Sequence, residues 1–187
     1  MERRDLFRAL ASAAALSLMP RSTALAAWTR VAAGERSPNG LSDAQMALVR
    51  AMADAILPRT DTPGGTDVGV HHFVDVMVAE YATDEDRTTF LAGLDAIDAR
   101  ARSESSVVVA ELNPDARGTF IESLESGDRD VEPARQYWRL KSLIVHGYFT
   151  SEPVMKQVLK VEIMPGRFDG AAPMPTAALR GGAHGHA

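Results

Sequence analysis

Ser42-Asp43-Ala44-Gln45-Met46-Ala47-Leu48-Val49-Arg50-Ala51-Met52-Ala53-Asp54-Ala55-Ile56-Leu57-Pro58 decides the fold class. Ser42 stands where a helix N-cap belongs, and Gln45, three residues on, can return the bond to the cap's own amide. Leu41 before the cap is placed to staple against Met46. Met46, Val49, Ala53 and Ile56 then recur every three or four residues, which puts them on one face of a helix that Pro58 ends.

The same spacing repeats along the chain. Phe73, Val74, Met77, Val78 and Tyr81 form the next stripe. Thr83 with Asp84, Glu85 and Asp86 makes an acidic helix start, behind which Phe90, Leu94, Ile97 and Ala101 line up. Asn113-Pro114 is a cap followed by proline at the first helical position, ahead of Phe120, Ile121 and Leu124. Pro133 leads a helix carrying Tyr137, Leu140, Ile144 and Gly147. Thr150 or Ser151 is placed to cap a last short helix with Pro153 in its first turn and Val154, Val158 and Leu159 as its buried positions. Val107-Val108-Val109 is β-branched but too short and isolated to imply a sheet, and is read as a connector. The expectation is an all-α, single-domain bundle of about six helices.

Between the first two stripes, Arg59 to Gly69 is a glycine-rich, Asp- and Thr-rich turn segment and a candidate for contacts. Residues 27–40 read as a polar linker ending in Ser37-Pro38-Asn39-Gly40, residues 41–170 as the helical domain, and residues 171–187 as a disordered tail of alanine, proline, glycine and two spaced histidines.

Ahead of the linker, Met1-Glu2-Arg3-Arg4-Asp5-Leu6-Phe7-Arg8 places paired arginines before two bulky apolar residues, and Ala9 to Met19 is uncharged. That run is far short of the ~20 residues needed to span a bilayer and reads as the apolar core of a signal peptide. The segment resembles a twin-arginine export signal, with Arg3, Arg4, Leu6 and Phe7 as its carriers and Glu2 departing from the usual Ser or Thr. Such signals direct already folded proteins to the periplasm. Ala24-Leu25-Ala26 supplies the small-x-small pattern of signal peptidase, so residues 1–26 are read as the signal, with Ala24 and Ala26 marking the cleavage.

Of 187 residues, about 160 then remain, enough for one domain with one core. Lys and Arg number 20 against 25 Asp and Glu, and the leader's Arg3, Arg4, Arg8 and Arg21 make the remainder more acidic still. That balance argues against a nucleic-acid or anionic-membrane surface. Cysteine is absent, which removes disulfides, thiolate metal sites, iron–sulfur clusters and covalent haem attachment. Neither a G-x-G-x-x-G after a strand nor a phosphate-cradling G-x-x-x-x-G-K occurs, and no nucleophile elbow.

Two groups of residues remain as candidates for chemistry or contact. His71 and Asp75, at i and i+4, share a helix face and could bind metal if the fold brings His146 to them. Adjacent His71 and His72 diverge by about 100° and cannot easily serve one ion. His184 and His186 fall in the tail. The second group is aromatic: Tyr137, Trp138, Tyr148 and Phe149 crowd a short span of a chain with 6% aromatics. They suit either core packing or a partner surface.

Ile56-Leu57-Pro58-Arg59-Thr60-Asp61-Thr62-Pro63-Gly64, His146-Gly147-Tyr148-Phe149-Thr150-Ser151-Glu152-Pro153 and Pro165-Gly166-Arg167-Phe168-Asp169-Gly170, with the twin-arginine start, resemble the gluconate 2-dehydrogenase subunit 3 family. The resemblance implies a non-catalytic small subunit beside a large FAD-dependent flavoprotein of the glucose-methanol-choline type, often with a multi-haem cytochrome c as membrane-attached third member. FAD and haem c would belong to those partners, and this chain would carry no cofactor. It would engage the twin-arginine translocon for both proteins and reside in the periplasm at the inner-membrane face. Taken with the aromatic cluster, the motifs make Tyr137, Trp138, Tyr148, Phe149, Glu152, Pro153, Arg167 and Phe168 the candidate partner interface. The alternative is a small periplasmic helical metal binder or enzyme built on His71, Asp75 and His146.

Overall fold

In the computed structural model, residues 21–34 and 40–160 are described. The twin arginines with Leu6 and Phe7, the Arg167–Phe168 pair and the tail lie outside them. The described residues form six α-helices and no strand: α1 (Arg21–Ala33), α2 (Asp43–Ile56), α3 (Val70–Val76), α4 (Asp84–Ser105), α5 (Pro114–Glu125) and α6 (Ala134–Thr150). Helix α3 runs on into a π-helical turn, Met77–Tyr81, and a second π turn, Val154–Val158, follows α6. The chain is an all-α single domain.

Local chemistry sets the helix starts. At α2 the Ser42 N–H donates to Gln45 Oε1 at 3.1 Å and the Gln45 N–H to Ser42 Oγ at 3.3 Å, the reciprocal pair that satisfies two otherwise orphaned donors. Thr83 accepts from the Asp86 amide at α4, and Asn113 from the Ala116 amide at α5, with Pro114 in the first turn. Asp84, Glu85 and Asp86 place negative charge on the positive end of the α4 dipole.

One core gathers the buried stripes. Leu48, Met52, Phe73, Met77, Leu94, Ile97, Leu124, Tyr137, Leu140 and Ile144 are fully enclosed, each large apolar side chain contributing roughly 1.5–3 kcal/mol. Helix α6 is central: α3, α4 and α5 all pack on it. Gly93 and Gly147 allow close approaches of this kind, because a Cβ at Gly93 would stand 2.3 Å from Gln136 Cγ and one at Gly147 2.6 Å from Phe73 Cδ1. Phe73, in turn, stacks on Trp28 with ring centroids 5.2 Å apart.

Three segments differ from their reading in sequence. Residues 27–33, taken as linker, belong to α1, which packs on α3 and α6 with Ala24 and Ala27 buried. The alanines that look like a signal's end also make a smooth helix face, so the same letters serve a second geometry. Val109 is enclosed, and the connector there tightens into a 3₁₀ turn, Val109–Glu111. Asp98 accepts the Val109 N–H at 3.0 Å, and the Arg117 guanidinium donates to the carbonyls of Val109, Ala110 and Leu112. After α6, Ser151 stands between two helical segments: its hydroxyl donates back to the Tyr148 carbonyl at 2.7 Å, and its own carbonyl accepts the Met155 N–H at 3.0 Å at the head of the next turn. Val154 is buried there, but Leu159 is exposed, since a five-residue π turn is too short to carry a stripe inward.

Candidate docking face on α6

Helix α6 carries apolar residues on two sides. Tyr137, Leu140, Ile144 and Tyr148 face the core, while Trp138, Val145 and Phe149 face outward with Lys141 and Ser142 among them. Spacings of three and four residues put the second set on one stripe, as the first is. An apolar side left uncovered on a helix already buried along the other is the unusual feature of this surface.

The outer stripe lines a groove of about 470 Å³ that runs from Trp138 to Thr150. Phe149 is 47% exposed at one end. At the other, Trp138 is held by cations: the Arg129 guanidinium carbon lies 3.6 Å from its ring centroid and Lys141 Nζ 5.0 Å. Lys141 also donates to Glu125 Oε1 at 2.5 Å, which receives the Tyr137 hydroxyl at 2.6 Å. These two bonds, Lys141's the stronger, hold the Glu125 carboxyl below the usual range, while burial and then Glu125 push the Tyr137 hydroxyl up.

Two nitrogens in this groove are buried and unpaired: Trp138 Nε1 and His146 Nε2. Burial pushes the His146 imidazole below its ordinary pKa, so it is neutral near pH 7. Buried polar atoms without partners are rare and costly, so both are a local cost that the fold carries beneath this face.

Of the aromatic residues singled out in the sequence, Trp138 and Phe149 reach this face, and Tyr137 and Tyr148 do not. Tyr137 is fully enclosed. Tyr148 is buried, with its hydroxyl donating to the Pro63 carbonyl at 2.7 Å. That bond joins two of the quoted motifs, tying the 59–69 turn segment to the end of α6. Glu152 and Pro153 are exposed just beyond, Glu152 paired with Lys156.

His71, Asp75 and His146 are not assembled into a site. Among the described residues no group of three or more His, Cys, Asp or Glu could hold a metal ion. The Asp75 carboxylate instead accepts the Leu41 N–H at 2.6 Å, and Gly40 lies so close that a Cβ would meet Asp75 Oδ1 at 2.1 Å. This is a latch at the entrance to the bundle. His71 opens on a different cleft, of about 590 Å³, lined by Arg50, Asp54, His72 and Arg117 among others. Burial chiefly, with help from His72 and Arg50, lowers the His71 pKa to about 4. His146 packs on Phe73, with centroids 6.1 Å apart, and faces the α6 groove.

Sequence reading missed the Arg129–Trp138 contact and the Asp75 latch. The first had no signal, because Arg129 lies in a polar loop whose path is set by packing. The second had one, since Gly40-Leu41 directly precedes a capping box, where helix-start amides call for acceptors.

Fold and face together define a small helical bundle with an uncovered apolar side. The chain belongs to the gluconate 2-dehydrogenase subunit 3 family, whose profile matches residues 43–166. That span contains every helix from α2 to α6 and the outer face of α6. No curated protein and no solved structure matches the chain.

Proposed function

We propose that this chain is the non-catalytic small subunit of an FAD-dependent dehydrogenase complex, docking the large flavoprotein of the glucose-methanol-choline type on the outer face of α6. The family is by name a subunit of a dehydrogenase. The observation that carries the docking reading is the groove lined by the outward apolar stripe of Trp138, Val145 and exposed Phe149. A partner that lays apolar side chains into this groove would cover the stripe. FAD belongs to that partner and haem c to a cytochrome subunit beside it.

In this reading Arg3 and Arg4 engage the twin-arginine translocon, and the flavoprotein crosses to the periplasm as a folded passenger. The supporting observation is a folded-export pattern on a chain whose sequence carries no cofactor motif. Phe149→Asp tests the docking surface. The bundle should fold with unchanged helicity, and a co-expressed partner flavoprotein should no longer co-purify. Undiminished co-purification would remove α6 from the interface.

A further inference from the structure

We propose that the export leader is not removed after Ala26, because helix α1 folds the cleavage pattern into the domain and keeps the leader attached to it. The inference rests on the export reading of residues 1–26.

Signal peptidase needs its scissile bond in an extended, accessible segment, as proteases do in general. Here Ala24, Leu25, Ala26 and Ala27 are consecutive residues of α1, with their backbone amides and carbonyls engaged in the helix. Ala24 is 1% exposed and Ala27 not at all. Ala24 and Ala27 therefore belong to the packed interior, while Leu25 and Ala26 lie on the outer side of the same helix, their backbone held in helical form.

Several contacts hold α1 in place. Trp28 stacks on Phe73, and its Nε1 donates to Thr150 Oγ1 at 3.1 Å, so one side chain joins α1 to both α3 and α6. Arg30 pairs with Glu80 at 2.8 Å. Gly69, at the start of α3, lies beneath Trp28 and Val31, to whose side chains a Cβ would come within 3.9 and 4.0 Å. A cut after Ala26 would leave only residues 27–33 of this helix. So short a remnant has little helical stability of its own, and the cut also deletes the Ala24 contact.

The sequence supplies no spacer that could present the bond otherwise. The apolar run ends at Met19, Pro20 follows, and α1 begins at Arg21. A peptidase seated at the end of the apolar run would meet the folded bundle directly. Uncut, the run stays joined to α1, and through Trp28 to the core.

The test uses the purified full-length chain and signal peptidase I in detergent, with the products read by intact mass and N-terminal sequencing. The folded protein should resist, while the chain held in urea tolerated by the enzyme, or a Val31→Asp variant whose α1 is undocked, should be cut to a product beginning at Ala27. Equal cutting of the folded wild type overturns the proposal, and so does resistance of the undocked chain, which would show that Ala24 and Ala26 are not a cleavage pattern. In an exporting host, the periplasmic protein should retain its leader; a chain beginning at Ala27 or anywhere else after the twin arginines also overturns it. If instead Arg3→Lys with Arg4→Lys leaves the location unchanged, the export reading fails, while the peptidase result still decides whether α1 protects the bond.

Discussion

His71→Leu removes an imidazole that the fold keeps neutral, and its effect on acid stability follows from one shifted equilibrium. In the folded chain His71 takes a proton only near pH 4, whereas in the unfolded chain it does so near 6.5. Its folded pKa is depressed, so its contribution to stability is complete above pH 6.5 and is lost as pH falls toward 4, the unfolded state binding the extra proton. Each pH unit in that window corresponds to about 1.4 kcal/mol, so lowering pH from 7 to 5 should destabilise the wild type through His71 by about 2 kcal/mol. Acid sensitivity from groups other than His71 is common to both proteins and cancels in the comparison. The variant also replaces the unpaired Nδ1 with an apolar group, so at pH 7 it should be no less stable than wild type, apart from small packing changes. Urea unfolding followed by circular dichroism at the two pH values gives the double difference directly. Equal pH dependence of the two proteins would show that His71 is hydrated and titrates normally, which would refute its burial against α2.

Three further outcomes test other joints of the structure. Gly147→Ala places a methyl 2.6 Å from the Phe73 ring; the overpacking cost of about 1–3 kcal/mol should exceed the gain of about 1 kcal/mol in helix propensity, with a shift in Trp28 fluorescence as its stack moves. Tyr148→Phe leaves the Pro63 carbonyl without its hydroxyl donor and should cost about 1 kcal/mol in thermal unfolding, with faster proteolysis of the 59–69 segment. Arg129→Ala uncovers Trp138 and should cost about 0.5–1 kcal/mol by itself; in the complex, unchanged affinity for the flavoprotein would mean that Trp138 does not anchor it.

Helix existence was legible because apolar residues three and four apart have one simple outcome, and caps such as Ser42–Gln45 and Asn113–Pro114 mark where it starts. What sequence could not resolve was which residues of a stripe face which neighbour. Tyr137 and Trp138 are adjacent and chemically alike, yet one is core and the other lines a surface groove, because α5 covers only one side of α6. The same limit applies to His71, Asp75 and His146: spacing put the first two on one face, but only the packing of α3 against Leu41 and α6 shows their separate employment. Helix α1 escaped notice for a different reason. Small residues before a polar stretch satisfy the rules for a signal terminus and for a helix that must approach its neighbours closely, and only the long-range Trp28–Phe73 and Trp28–Thr150 contacts separate the two.

The central claim is that this bundle serves a flavoprotein rather than a substrate. Expressing the proposed flavoprotein partner with and without this chain, and measuring periplasmic FAD-bound dehydrogenase activity, tests it most directly. Activity should appear in the periplasm only when the chain is present with Arg3 and Arg4 intact. Equal periplasmic activity in its absence would contradict the account.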